Sequence, residues 1–241
     1  MFRAILILLF FSNFCFAGGG YYLGGQTVTG DSCSNLGNYE LYFDVDHTTG
    51  TTTACKPAGT ETVSFNGGGA SSDQNNTDGG TYSFKYDAAD ESIQITNNSY
   101  LNSAEGYVKF SLYCSASTGD NAWQIFEFRT DSQNRIYLYR TTTGVGTLYI
   151  EYRGNNSSRL YGYTVSLNES AWNTIEARWK LSNNEVGLQV NSGGWQTDTT
   201  GLTAFAGNDP STIYFGEVSV GTSPAAALYI DDIYLSSTYA P

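Results

Sequence analysis

Short runs of alternating apolar and polar residues fill the chain from Thr81 onward, and residues that favour turns separate them. A period of two residues is typical of a strand with one buried and one exposed face. The connecting segments carry Gly, Asn and Asp, as hairpin turns do. The strands predicted by this pattern are Tyr82–Tyr86, Ser92–Thr96, Gly106–Cys114, Trp123–Thr130, Arg135–Arg140, Thr147–Arg153, Leu160–Ser166, Asn173–Leu181, Glu185–Asn191, Ile213–Val220 and Ala227–Ser236.

So many short strands at this spacing predict an all-β fold, a two-sheet antiparallel β-sandwich or jelly roll. The alternation also predicts which side chains face the core. In one strand, Ile175, Ala177 and Trp179 share the inward side. Glu176 and Arg178 lie on the opposite side of that strand, toward solvent.

The first 17 residues follow the order of a secretory signal peptide: a basic residue at Arg3, an apolar run, and small residues ending at Ala17. The apolar run is shorter than the roughly 20 residues that span a bilayer, and no later stretch is apolar enough, so no membrane span is predicted. We therefore expect residues 1–17 to be removed and the protein to be secreted to the extracellular space. Residues 18–30 form a Gly-rich N-terminal arm, and residues 31–241 form a single β-sandwich domain.

The charge of the chain narrows the possible partners. The 241 residues include 11 Lys and Arg against 23 Asp and Glu, a formal net charge of −12. Because so acidic a chain repels phosphate backbones, nucleic acid is excluded as an expected partner. The sequence contains 1 His, which argues against a His-rich metal site and against a Ser-His-Asp triad.

Three cysteines follow the predicted signal peptide: Cys33, Cys55 and Cys114. Cys33 and Cys55 lie in sequence rich in Ser, Thr and Gly that we interpret as loops, and an oxidising compartment allows a disulfide between them. Cys114 falls on the apolar side of a predicted strand. It should therefore be a buried free thiol that behaves as a small hydrophobic residue.

Three stretches of the chain resemble one known family. They are W-N-T-I-E-A-R-W-K-L-S-N-N-E-V-G-L-Q-V-N-S-G-G-W from Trp172, I-Y-F-G-E from Ile213, and A-L-Y-I-D-D-I-Y-L-S from Ala227. This pattern resembles the C-terminal half of a concanavalin A-like (laminin G-like) jelly roll, whose closing strand carries a short I-D-D-I-type signature. The resemblance covers residues 106–236 and implies the sandwich fold. The family includes lectins, carbohydrate-binding modules, adhesion domains, glycanases and polysaccharide lyases.

The signatures of the family's enzymes are missing from this sequence. Laminarinase-type hydrolases carry an E-x-D-x-E strand that places carboxylates close together on one face. The nearest stretch here has one acid, Glu127, and Arg129 stands where a second acid is needed. Alginate-lyase-type members carry a Q-I-H strand, and no His lies in a predicted strand of the regular region. No catalytic residue is assigned.

The resemblance also implies a structural Ca²⁺ ion held by the closing strand. Asp232 stands at the family position, with Asp231 beside it, and the candidate partners are Asp44, Asp46 and either Asp87 or Asp90. Hard oxygen ligands of this kind suit Ca²⁺ better than a transition metal. The alternative is that these acids cap turns or are solvated.

Outward positions of several strands combine flat rings with charged groups, which we interpret as one face for binding a glycan. Sugar rings stack on aromatic faces, and charged groups bind their hydroxyls. The alternative is a solvent-facing sheet stabilised by cross-strand pairs. This predicted face consists of Glu127, Arg129, Tyr137, Tyr139, Tyr149, Glu151, Arg153, Glu176 and Arg178.

The tryptophans are expected to contribute mainly to packing. Trp123, Trp172 and Trp179 are interpreted as core or sandwich-end residues. Trp195 follows a hairpin turn and is either a stacking platform at a loop tip or a ring folded over the edge of the sandwich, with the second favoured.

Two functions fit these features best. The first is a secreted, non-catalytic carbohydrate-binding or adhesion protein whose partner is an extracellular polysaccharide or glycan. The alternative is a self-assembling structural subunit of an extracellular filament, sheath or surface layer. In such a homopolymer the arm of residues 18–30 would pair with the sheet edge of a neighbouring subunit. A polysaccharide lyase or hydrolase of another type is less favoured.

Overall fold

The computed structural model describes residues 38–43, 52–56, 59–71, 82–114, 123–131, 134–140, 147–154, 157–168, 170–199, 201–216 and 227–238. Strands dominate these residues, joined by turns and one 3-10 turn at Leu181–Asn183. The strands are β1 Leu41–Phe43, β2 Thr52–Lys56, β3 Gly59–Asn66, β4 Gly69–Ser71, β5 Ser83–Tyr86, β6 Ser92–Thr96, β7 Glu105–Cys114, β8 Trp123–Asp131, β9 Asn134–Arg140, β10 Thr147–Gly154, β11 Ser157–Ser166, β12 Trp172–Lys180, β13 Glu185–Val190, β14 Gln196–Asp198, β15 Thr212–Gly216 and β16 Leu228–Ser236.

The strands form two antiparallel layers, which confirms the predicted two-sheet β-sandwich. The front sheet has the order β11-β10-β9-β8-β15-β6-β3. The back sheet has the order β1-β16-β7-β12-β13-β14, with β5 also paired to β16 and β4 paired to β5. Strand β2 pairs with β3 on one side and with β1 on the other, so it connects the two layers.

Large aromatic side chains from both sheets fill the space between the layers. Phe110 of the back sheet meets Phe215 of the front sheet edge to face, with ring centroids 5.4 Å apart. Phe128 stacks on Trp179, with centroids 6.2 Å apart. The indole Nε1 of Trp179 donates a hydrogen bond of 2.7 Å to the carbonyl of Asn102. Burying a Phe side chain stabilises the fold by roughly 1.5–3 kcal/mol, so these contacts between the sheets contribute substantially to stability.

The side-chain directions in the core agree with the alternation of the sequence. Ile175, Ala177 and Trp179 are fully buried. Cys114 is buried, as expected.

The structure differs from the sequence interpretation between Thr52 and Ser71. The sequence interpretation placed Cys55 in a loop and predicted no strand in this part, yet it contains β2, β3 and β4. Cys55 therefore lies in strand β2 and not in a loop. Thr, Ser and Gly dominate this segment, so apolar alternation is weak, and pairing with neighbouring strands sets its conformation instead. Its proposed disulfide partner Cys33 lies outside the described residues, so the disulfide stays a prediction.

Several other predictions also fall outside the described residues. They concern the signal peptide over 1–17, the arm over 18–30, and the two acids Asp44 and Asp46. In the part of the chain that is described, no helix has the length and apolar character needed to cross a membrane.

The packing of Trp179 against the backbone of β7 yields a stability prediction. A Cβ atom added to Gly106 would overlap ring carbons of Trp179. Gly106→Ala should therefore lower the free energy of unfolding by about 1–3 kcal/mol, as overpacking a full core does. Urea denaturation followed by fluorescence measures the difference. Gly69→Ala is the matched control, because a Cβ there meets nothing within 4 Å. Equal losses in both variants would contradict the proposed packing.

Candidate functional site

The outer face of the front sheet carries part of the predicted glycan-binding face, arranged in regular rows across β8, β9 and β10. Glu127, Tyr137 and Glu151 are register partners in one row. The next row consists of Arg129, Arg135 and Arg153. Alternation therefore predicted the side of the sheet for these residues correctly.

Both carboxylates of this face are buried, although the sequence interpretation placed them at the surface. Glu127 and Glu151 are each 1% exposed. Glu127 accepts a hydrogen bond of 2.7 Å from the Gln124 amide, and Arg129 lies 3.2 Å from its other oxygen. Arginines from the neighbouring row cover Glu151 in the same way. Its two oxygens lie 3.4 Å from Arg135 Nη2 and 3.1 Å from Arg153 Nη2. Long Arg side chains fold over both carboxylates, so these carboxylates are already paired within the protein.

Burial raises the pKa of Glu127 above its ordinary value. The hydrogen bond from Gln124 and the charges of Arg129 and Arg135 act in the opposite direction but do not cancel the desolvation. Desolvation dominates because the carboxylate is almost completely removed from water.

The tyrosines of this face stack on one another. Tyr139 and Tyr149 are stacked with centroids 5.5 Å apart and an interplanar angle of 17°, and Tyr137 lies 5.0 Å from Tyr139. The guanidinium of Arg135 lies 4.3 Å from the centre of the Tyr137 ring. Each of these rings thus already contacts another ring of the row, and Tyr137 also contacts a guanidinium. The arrangement matches the cross-strand ladder that was the alternative interpretation.

Burial, followed by the charge of Glu151, raises the pKa of Tyr139 to about 12. A tyrosine that acts as a general base must ionise near the working pH. Tyr139 is therefore poorly suited to the lyase chemistry considered from the sequence.

Glu176 and Arg178 do not belong to this face, so the predicted single face is wrong in this respect. They lie on β12, whose neighbours are β7 and β13 in the back sheet. The hydrophobic core separates the two outer faces. The Tyr107 hydroxyl donates a hydrogen bond to Glu176, and Arg178 binds Glu185 at 3.0 Å.

The outer face of the back sheet contains a depression of about 340 Å³. This volume lies at the lower end of the range for small-ligand sites, roughly 300–1,000 Å³. The depression is lined by Lys109, Ser111, Trp172, Asn173, Thr174, Asp232 and Tyr234.

The depression forms because a row of small residues lies between two rows of large ones. Ser111 and Thr174 are register partners and occupy the middle row. On one side the adjacent row contains Tyr113 and Trp172, which meet edge to face at 5.6 Å. On the other side Tyr234 stands opposite its register partner Lys109. Small side chains between rows of larger ones leave a space that the described residues do not fill.

Asp232 is fixed at one end of the depression by an irregular backbone. The register of β16 against β7 shifts between Asp231 and Tyr234, and Asp232 has a φ of 48°. Its Oδ1 accepts a hydrogen bond of 3.1 Å from Tyr42, and its Oδ2 lies 3.5 Å from Ser111 Oγ. A left-handed conformation is uncommon outside glycine and is often found at functional sites.

Lys109 supplies the opposite charge at this site. Its Nζ lies 5.2 Å from the centre of the Tyr234 ring. The lining residues of the depression therefore combine a carboxylate acceptor, an ammonium donor, three hydroxyls and two aromatic rings. These groups can bind a small ligand with several hydroxyls.

The sequence interpretation missed this site, although part of its signal was present. Alternation places Lys109, Ser111 and Thr174 on outward positions. Their meeting with Asp232 depends on β7 lying between β12 and β16, which local patterns do not reveal. Trp172, expected to be a packing residue, is half-buried and lines the depression.

The described acids do not assemble a complete metal site. Asp231 is buried beside Asp232, and its Oδ1 accepts a hydrogen bond from the Asp232 amide. Asp87 pairs with Lys85 at 3.0 Å. Across the described residues, no group of three or more His, Cys, Asp or Glu could hold a metal ion. Ca²⁺ requires about 6–8 oxygen ligands, so its binding stays a prediction that depends on residues outside this part of the chain.

The fold is that of an antiparallel β-sandwich, and comparison with solved structures supports this class. The chain is similar to receptor-binding domains of botulinum neurotoxins. For the serotype D binding domain the identity is 17%, the TM-score is 0.56, and the match covers 82% of this chain and 50% of that chain. For the type G receptor-binding domain the identity is 12% and the TM-score 0.55, over 85% and 49% of the two chains.

A third similar structure concerns the cell entry of botulinum neurotoxin type C, described as dependent upon interaction with two ganglioside molecules. Its identity is 13% and its TM-score 0.61, over 87% of this chain and 50% of that chain. This chain thus spans about half the length of the structures that it matches. No model of a known protein family matches the sequence, and a search of curated proteins gives no match. Identities this low show the fold alone, and the concanavalin A-like assignment is not confirmed.

The raised pKa of Glu127 predicts that this group makes the folded state less stable as the pH rises. The folded protein binds the Glu127 proton more tightly than the unfolded chain does. The contribution of this group to folding stability is therefore fully present below the ordinary pKa and is lost as the pH rises through the raised value. The wild type should therefore lose stability relative to Glu127→Gln over this interval. Urea denaturation of both proteins in a pH series measures the difference.

Glu61 provides a control of opposite sign. Burial raises its pKa, but hydrogen bonds from Tyr100 and Lys56 outweigh this effect, so the pKa lies below its ordinary value. Stability from this group is present above the ordinary pKa and is lost as the pH falls through the lowered value. If the stability difference from the wild type changed with pH in the same direction for Glu61→Gln and Glu127→Gln, the opposite pKa shifts of the two groups would be contradicted.

The calcium prediction can be tested by thermal unfolding. If Asp44 and Asp46 complete a site with Asp232, added CaCl₂ should raise Tm and excess EDTA should reverse the rise, because a ligand that binds only the folded state stabilises it. Asp232→Asn should abolish the response. An unchanged Tm in both buffers would show that the predicted calcium site is wrong.

Proposed function

We propose that this protein is a secreted, non-catalytic carbohydrate-binding protein whose ligand occupies the depression on the back sheet. One observation carries the proposal: the row of Ser111 and Thr174 leaves a space bounded by Trp172, Asp232 and Lys109. Export follows from the signal peptide predicted for residues 1–17.

The groups around the depression match the chemistry of a sugar. The Asp232 carboxylate can accept hydrogen bonds from ligand hydroxyls, and the Lys109 ammonium can donate to their oxygens. The Trp172 ring offers an apolar surface for the carbon face of a sugar. Tyr42 and Ser111 hold the Asp232 carboxylate in place, so little conformational entropy is lost when a ligand binds.

Binding without catalysis fits the placement of the acids. Glycoside hydrolysis in most families uses two carboxyl groups that flank the scissile bond. Asp232 is the acid among the residues that line the depression. Glu127 and Glu151 are on the opposite face and are covered by arginines.

Two similar solved structures are described in terms of glycans. One is a binding domain of botulinum neurotoxin DC in complex with SialylT, with a TM-score of 0.57 and 13% identity. The other is the type C structure described with ganglioside molecules. Because the match extends over about half of those chains, they support a glycan-binding role for the fold class without identifying the ligand or the site.

Isosteric and truncating changes in the depression test the proposal. Asp232→Asn keeps a residue that tolerates a left-handed backbone but removes the charge, and Trp172→Ala removes the apolar surface. Each should weaken binding to glycans identified on a glycan array by about tenfold or more, since a hydrogen bond to a charged group contributes about 1.5–3 kcal/mol. Titration calorimetry measures the change.

The matched control is Asp90→Asn, because Asp90 is another Asp with a positive φ, of 65°, and is an exposed residue away from the depression. This control should retain wild-type affinity. The paired variant Tyr139→Ala/Tyr149→Ala separates the two faces. If it abolishes binding while Asp232→Asn does not, the site is on the front sheet, as the sequence first indicated. If the wild type binds no glycan on the array, the proposed function is wrong.

A further inference from the structure

Trp195 lies flat against the same outer face as the depression, near the end of β12. Its ring lies 4.0 Å from the guanidinium of Arg178 and meets the ring of Tyr107 edge to face at 6.2 Å. Beneath it is Gly187, where an added Cβ would stand 3.2 Å from Trp195 Cε3. The absence of a side chain at Gly187 lets the ring approach the sheet closely.

The hairpin that carries Trp195 is firmly attached to the sheet. Asn191 and Ser192 both have positive φ, of 51° and 56°, and the Gly193 amide bonds the Val190 carbonyl at 2.9 Å. Two consecutive residues of positive φ are typical of a tight hairpin turn. The side chain of Asn191 also accepts a hydrogen bond of 2.9 Å from the amide of Thr174, on the adjacent strand β12. The backbone near the depression and the base of this hairpin are therefore held together.

We propose that Trp195 is a second stacking subsite and that the protein binds the interior of a linear, neutral polysaccharide that extends from the depression to this ring. The inference rests on the proposed function and adds the class of ligand. Arg178 lies four positions after Thr174 on β12, so the two subsites are about 13 Å apart at roughly 3.3 Å per strand residue. An oligosaccharide several rings long spans this distance.

The charges along this path favour an uncharged ligand. Lys109 and Asp232 have opposite charges, and so do Glu176 and Arg178, which lie between the depression and Trp195. The whole chain has a net charge of −12, so an acidic polysaccharide would be repelled at long range. Alternating polar groups flanked by flat rings suit hydroxyl groups better than carboxylates or sulfates.

The face of Trp195 opposite Arg178 is the one offered to the ligand. Within the described part of the chain, the ring contacts of Trp195 are with Arg178, Tyr107 and the Gly187 side of the sheet. Arg178 is held in turn by Glu185 at 3.0 Å. A ring fixed in this way loses little freedom when a sugar stacks on it. A purely structural cover for Arg178 would show no dependence on the length of a bound glycan.

Affinity as a function of chain length tests the proposal. Titration calorimetry would use cello-, laminari-, xylo- and manno-oligosaccharides of increasing length, from disaccharide to hexasaccharide. At least one series should bind with an affinity that rises with length, because a ligand that reaches both subsites gains from both. Trp195→Ala should lower the affinity for the hexasaccharide about tenfold and leave the affinity for the disaccharide unchanged. Trp195→Phe should restore part of the affinity for the hexasaccharide.

The outcomes separate this inference from the proposed function. Trp172→Ala should weaken binding at every length, because it changes the depression itself. If the wild type binds but its affinity does not depend on length, or if Trp195→Ala keeps the gain, the second subsite is wrong and the depression stands. If affinity for carboxylated polygalacturonate exceeds that for every neutral series, the neutral class is wrong. If the wild type binds a glycan on the array but none of these neutral series, the neutral class is wrong and the proposed function stands. If it binds no glycan on the array either, both proposals fail together.

Discussion

The structure depends on the packing of two sheets through one aromatic layer. Trp179 and Phe110 of the back sheet meet Phe128 and Phe215 of the front sheet, and this contact fixes which side of each strand is inside. Because side chains alternate along a strand, fixing the inside also fixes the outside. Two separate outer faces result, with the core between them. Polar residues on different sheets therefore cannot form one site, however similar their local patterns are.

Local pattern was sufficient to predict the strands and the directions of their side chains. Strand β6 has the predicted bounds, and Ile175 and Trp179 are buried as expected. What the pattern could not supply was the order of strands in space. It grouped Glu176 and Arg178 with Tyr137 because all three have outward positions, whereas pairing places β12 beside β7 and β13. Strand order depends on contacts between residues far apart in sequence, and the period-2 signal contains no such information.

Direction and exposure are also different properties. Glu127 points away from the core, as alternation predicts, yet it is buried because Arg129 and Gln124 lie over it. On the front face, two described carboxylates, Glu127 and Glu151, are paired with arginines of the same sheet. In the depression, by contrast, Ser111 and Thr174 are too short to fill the space between their neighbours. The difference between the closely packed front face and the open depression here arises from side-chain size rather than from polarity.

The position of Asp232 follows from the spacing of two isoleucines. Ile230 and Ile233 are both fully buried, although residues three apart on a regular strand point to opposite faces. The strand can bury both only by inserting an extra residue, and the register shift between Asp231 and Tyr234 is that insertion. The left-handed backbone of Asp232 accommodates it and directs the carboxylate toward Tyr42 and Ser111. The sequence I-D-D-I thus encodes the bulge through its apolar spacing, and the core contacts of the two isoleucines hold the acid at the end of the depression.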